Sequence, residues 1–144
     1  MKARFAKVMV PLNGHESDKA AVELACRLAK SIKGKVHVVH VIRVSRALPL
    51  DAELEPEIKK AEELFRQAED MADSMGCPIQ TELLQSREIG PALVDEAMQQ
   101  GVDLMLISIE QGNFLGEFML DHTSSYVLKN APCSVCLLHY LPPK

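Results

Sequence analysis

The sequence predicts an α/β fold, a single domain on an open, parallel five-stranded sheet in the order 3-2-1-4-5 with helices on both faces. Three observations predict it. Short runs rich in Val, Ile and Leu alternate with longer stretches of helical apolar spacing, the pattern of strand–helix–strand units joined by right-handed crossovers. The chain has 144 residues, a one-domain length that can bury roughly 70% of its unfolded surface. The third strand-like run alternates apolar with polar residues and begins behind a proline, which marks a sheet edge.

The elements follow in order. Phe5 to Leu12 is a short apolar run ending in Asn-Gly and reads as a buried strand. Glu16 or Ser17 opens a helix whose apolar positions Ala21, Val22, Ala25, Leu28, Ala29 and Ile32 keep helical spacing, with Gly34 as its stop. Val36 to Arg43 is β-branched and continuous, a second buried strand. A loop with two prolines occupies Val44 to Pro56. A helix follows from about Glu57 to Met75, with a stripe through Ile58, Ala61, Leu64, Phe65, Ala68, Met71, Ala72 and Met75, and Gly76 ends it.

Ile79 to Leu84 is the edge strand, with Ile79, Thr81 and Leu83 alternating with Gln80 and Glu82. Pro91 in the first turn and Gly101 past the end bracket a third helix. Leu104 to Ile109 is the fourth strand, about His122 to Asn130 the last helix, and Ser134 to Leu141 the fifth strand.

The composition excludes several function classes. A net charge of −4 argues against nucleic acid as a partner, since phosphate neutralisation needs a basic face. Lys2, Arg4 and Lys7 make a locally basic start that reads as a solvated tail. No run approaches the roughly 18 apolar residues that span a bilayer. The first apolar stretch, Val8 to Leu12, is too short for a signal peptide, so a cytoplasmic location without membrane insertion is expected. Four cysteines do not make a disulfide scaffold. Cys133-x-x-Cys136 has redox or zinc spacing on paper, but residues three apart on a strand point to opposite faces, and no metal site is expected.

In the order 3-2-1-4-5 the chain reverses direction between strands one and four, and ligands bind at the carboxyl ends flanking that switch. Those ends carry Pro11-Leu12-Asn13-Gly14-His15 and Ser108 onward to His122. The two loops richest in unusual residues therefore converge on one crevice.

Four stretches carry a family signature: Val8-Met9-Val10-Pro11-Leu12-Asn13-Gly14, His40-Val41-Ile42, Asp103-Leu104-Met105-Leu106-Ile107, and Val127-Leu128-Lys129-Asn130-Ala131-Pro132-Cys133-Ser134-Val135. In these, and over nearly its whole length, the chain resembles the universal stress protein family. The resemblance implies a Rossmann-like, adenine nucleotide alpha hydrolase-like fold, which agrees with the periodicity. In the ATP-binding branch it implies an Asp at the end of the first strand, where this chain has Asn13, and a backbone contact to adenine at Val41. It also implies a phosphate loop of Gly, two residues, Gly, nine residues, then Gly with Ser or Thr. Aligned without gaps, those positions fall on Ser108, Gln111, Asp121 and His122. A one-residue shift recovers Gly112 as the second glycine and shortens the spacing to the helix. Gly116 has no obvious counterpart, and Thr123 and Ser124 supply hydroxyls in the helix's first turn.

Glycines matter in such a loop because backbone N–H groups must approach phosphate oxygens with no Cβ between them. A helix start matters because its free N–H groups and dipole attract an anion. Asp121 would sit where that anion sits and accept the same N–H bonds as an N-cap. Two like unit charges about 4 Å apart at an effective dielectric near 20 cost roughly 4 kcal/mol, about three decades of affinity. The alternative reading of Asp121 is an ordinary cap with no bearing on ligands. His15 and His122 allow a catalytic or zinc site to be drawn with Glu16 and Asp121, yet no nucleophile–base spacing supports catalysis. His37 and His40 read as packed or hydrogen-bonded on a buried strand, and the methionines as core filler.

In the last strand Val135, Leu137 and Tyr140 are expected to oppose Cys136, Leu138 and Leu141, leaving an apolar sheet edge that invites pairing. The family resemblance implies a homodimer through this strand, with Val135, Leu137 and His139 at its edge. The expected function is a non-enzymatic stress-response or regulatory domain with an altered nucleotide crevice and a regulatory protein partner. No cofactor is required; the candidate ligand is ATP or another adenine nucleotide. Two alternatives stay open: an ATP-binding member, even a weak ATPase, whose phosphate site is rebuilt from Gly112, Gly116, Thr123 and Ser124, and a regulatory module related to those appended to transporters or kinases.

Overall fold

The computed structural model describes residues 6–110 and 121–143. The described residues form five strands, β1 (Lys7–Pro11), β2 (Lys35–Arg43), β3 (Ile79–Ser86), β4 (Leu104–Glu110) and β5 (Ser134–Tyr140), and four helices, α1 (Ser17–Ser31), α2 (Glu55–Ser74), α3 (Ile89–Gln100) and α4 (His122–Asn130). The strands form one sheet in the order β3-β2-β1-β4-β5, every pairing parallel, as the sequence predicts. Both sheet faces are covered, which explains why β1, β2 and β4 are near-continuous apolar runs.

Period-two alternation splits the core in two. Val8, Val10, Val36, Val38 and Leu106 pack under α1 and α2, together with Leu64 and Phe65. Met9, Val39, Val41, Met105 and Ile107 pack under α3 and α4, against Leu93, Val94 and Val127. Cys136 belongs to the first layer and Cys133 to the second, so the pair does lie on opposite faces. Burial raises the Cys133 thiol pKa. Burial, with the Cys77 thiol close by, pushes the Cys26 thiol up to about 12, so both thiols are poor nucleophiles at neutral pH.

Three sequence expectations need correction. The α1 helix does not stop on a left-handed Gly34: Lys33 takes that conformation at φ 55°, while the Gly34 N–H closes on Ala29 O at 2.7 Å. Gly34 is needed for closeness instead, because a Cβ there would stand 2.7 Å from Ala6 O. The α2 helix starts at Glu55 rather than Glu57, with Pro56 inside its first turn, where no N–H is needed. Tyr140 shares the face of Cys136 and Leu138, not that of Val135 and Leu137, since residues two apart share a face. Burial and the acid Glu16, at the start of α1, raise the pKa of its hydroxyl.

Candidate functional site

A cavity of about 280 Å³ opens at the carboxyl ends of β1, β2 and β4, beside the first turns of α3 and α4. This is the switch point of the sheet, and the volume is near the lower end of small-molecule sites. Its apolar walls include Val41, Leu93 and Ile107, and its polar groups include Asn13, His15, His40, Glu110, Asp121 and Thr123. Of the residues expected there, Pro11, Leu12, Asn13, His15, Val41, Ser108, Asp121, Thr123 and Ser124 line it. Gln111, Gly112 and Gly116 lie outside the described residues. His122, expected in the same crevice, lines an adjoining cavity with Arg43, Glu88 and Tyr126, so the catalytic or zinc site that could be drawn from His15 and His122 is not built into one pocket.

The β1–α1 loop is held from inside. Asp18, in the first turn of α1, accepts from Asn13 N at 3.0 Å and Gly14 N at 2.8 Å. Gly14 makes this turn at φ 86°, where a side chain would be strained, and it lies beside the cavity rather than in its lining. Asp18 is buried, and burial raises its carboxyl pKa despite the two backbone N–H bonds that favour the anion. The Asn13 amide links the two sides of the switch: its Oδ1 accepts from His15 N at 3.1 Å and its Nδ2 donates to Ser108 O at 3.4 Å. An Asp at this position has no donor for that carbonyl, which gives the amide a structural reason.

The helix starts are already engaged by carboxylates of the chain. Asp121 caps α4, its Oδ1 accepting from Ser124 N at 2.6 Å. Glu110, at the end of β4, accepts from Ser17 N at the start of α1 at 3.2 Å. Below them Ser108 Oγ donates to Ser17 Oγ at 3.1 Å, both side chains buried. Among the described residues no lysine or arginine lines the cavity, so its fixed charge comes from Glu110 and Asp121.

His40 is a wall residue of the cavity that the sequence reading took as packed or hydrogen-bonded on a buried strand, not as part of the crevice. Its Nδ1 lies 2.8 Å from Leu12 O, and a carbonyl only accepts, so Nδ1 carries the proton and Nε2 is an acceptor in the neutral ring. Its neighbour Val41 and the strand end it occupies were signals that could have placed it. Glu110, Ser17 and Asp18 carried no such signal, because their roles depend on which backbone N–H each one meets.

The comparisons with known proteins agree with this architecture. The family model described as the universal stress protein family matches residues 4–139. Among curated proteins, none matches the chain significantly in sequence. A universal stress protein solved in complex with cAMP is 18% identical, covering 95% of this chain and 98% of its own, with a TM-score of 0.72. One from Archaeoglobus fulgidus in complex with dAMP is 17% identical over 91% of this chain and 95% of its own, TM-score 0.73. A family protein from Arabidopsis thaliana with AMP bound is 17% identical over 94% and 92%, TM-score 0.67. At these identities the likeness to the solved structures is one of fold.

Proposed function

The chain belongs to the universal stress protein family, and from that premise we propose that it is a non-enzymatic regulatory domain whose crevice has moved away from standard ATP binding. The observation that carries this reading is the 2.6 Å bond from Ser124 N to Asp121 Oδ1. The N–H groups at a helix start are the ones an anion would use, and here a carboxylate takes part of that capacity. Glu110 on Ser17 N extends the pattern to the second helix start beside the cavity. With these two acids in its lining, the cavity disfavours a polyphosphate and suits a neutral or cationic ligand over an apolar floor. Asp121 thus acts as a built-in substitute for phosphate. In this role the domain works in the cytoplasm as a homodimer through β5, with a regulatory protein partner, in a stress response.

Titration calorimetry with Mg-ATP, AMP and adenosine tests the proposal. Millimolar or weaker Mg-ATP binding is expected, and micromolar binding by the unmodified protein would overturn it.

A second reading is an adenine mononucleotide site, with Thr123 and Ser124 beside one phosphate. It is favoured by the position of both residues in the cavity lining and by relatives solved with cAMP, dAMP and AMP. Micromolar AMP with weak Mg-ATP in the same titration would select it.

A further inference from the structure

We propose that His37, Glu82 and Glu96 form a divalent-cation site, with one imidazole and two carboxylates as ligands, on the α3 side of the sheet and apart from the crevice. His37 Nε2 lies 2.9 Å from Glu96 Oε2 and 3.2 Å from Glu82 Oε2, and one donor atom from each residue falls within 4.8 Å of the others. The three come from β2, β3 and α3. His37 stands opposite Gln80 in the parallel register, which makes Glu82 its diagonal neighbour on the same face. Glu96 meets them from the helix above, its side chain only 5% exposed, like that of His37.

Chemistry favours a cation at this point. Two acids and one imidazole meet in a largely dry place, with the His37 and Glu96 side chains both buried. The nearby ammonium of Lys7 contributes through space but is bonded to Gln100 at 3.4 Å, so it is not a direct partner to either acid. A metal ion would satisfy all three groups at once.

The geometry needs little change. Ligands about 2.0–2.1 Å from a tetrahedral zinc ion stand about 3.3–3.5 Å apart, and the measured separations are a few tenths of an ångström shorter. One nitrogen and two oxygens make a borderline-to-hard set suited to Zn²⁺, Co²⁺ or Mn²⁺, with a position left for water. Glu82, 37% exposed, gives the ion a way in. One feature limits affinity: His37 Nδ1 is buried and has no hydrogen-bond partner among the described residues. The missing orienting bond costs roughly 10–100-fold, which points to micromolar rather than nanomolar binding.

The test uses untagged full-length protein, Co²⁺ absorption and Zn²⁺ titration, with thermal unfolding in parallel. One Zn²⁺ per chain with micromolar affinity, a raised unfolding midpoint and a Co²⁺ visible band are expected. Glu82→Gln and His37→Gln should each weaken binding at least tenfold. Glu82 is half-exposed, so its variant carries the test if His37→Gln does not fold. Absence of saturable binding would overturn the site, as would equal affinity in the unmodified protein and Glu82→Gln, which would move the metal to other ligands.

Discussion

Replacing Asp121 with Asn isolates the charge that the crevice is proposed to use against phosphate. Asn is as good an N-cap as Asp, so the bond from Ser124 N survives in form and α4 should keep its stability to within a few tenths of a kcal/mol. What changes is one unit of negative charge beside the helix start. At about 4 Å the penalty on a phosphate is roughly 4 kcal/mol for an effective dielectric near 20 and about 1 kcal/mol in bulk water. Asp121 is exposed, so the upper figure, three decades, is too large. A gain of about ten- to a hundredfold in Mg-ATP affinity is expected, read by titration calorimetry at low and physiological salt. The gain should shrink as salt rises, because the Debye length falls from about 30 Å at 0.01 M to about 8 Å at 0.15 M. Asp121→Ala is the control for the cap, with a loss of about 1 kcal/mol of stability. The reasoning is refuted if Asp121→Asn leaves Mg-ATP affinity unchanged while the fold is intact.

Three further outcomes are expected. Leu137→Lys places a charge on the β5 edge and should convert a dimer into a monomer by light scattering; an unchanged mass would exclude this edge as the interface. Gly34→Ala forces a Cβ to within 2.7 Å of Ala6 O, so about 1–3 kcal/mol should be lost in urea unfolding, and a neutral result would show that the chain start can yield. Asp18 has a raised folded-state pKa, so the native state holds its proton more tightly than the unfolded chain does. Stability from this group is therefore greatest at low pH and falls as pH rises from about 4 through the raised value. Asp18→Asn should flatten that limb of the stability–pH curve; an unaltered slope would assign it to other carboxyls.

The helix starts were legible where the local pattern was enough. Asp121 stands directly before a helical stretch, so its cap could be read from neighbours in sequence, and the structure has that bond. Glu110 and Asp18 could not be read in the same way. Glu110 reaches Ser17 N across 93 residues, and Asp18 turns back to the loop that precedes its own helix. The polar residues of β3 show the opposite failure. Alternation marked Gln80 and Glu82 as an edge strand's polar face, which fits the position of β3, but Glu82 is drawn to His37 beneath α3. His122 follows Asp121 in the chain yet lines a different cavity, because adjacent residues on a helix differ by about 100° in direction.

By itself the sequence determined the order of strands and helices, the buried character of the central strands and the family. Each of these rests on periodicity and short motifs, which are set by neighbours a few residues away. Only the tertiary structure decided what the polar side chains do: Asn13 donating across to Ser108, Glu110 and Asp121 occupying helix starts, His40 in the crevice wall, and His37 meeting Glu82 and Glu96. The physical reason is that such contacts span tens of residues and act over about 3 Å, so they depend on strand register and helix rotation together.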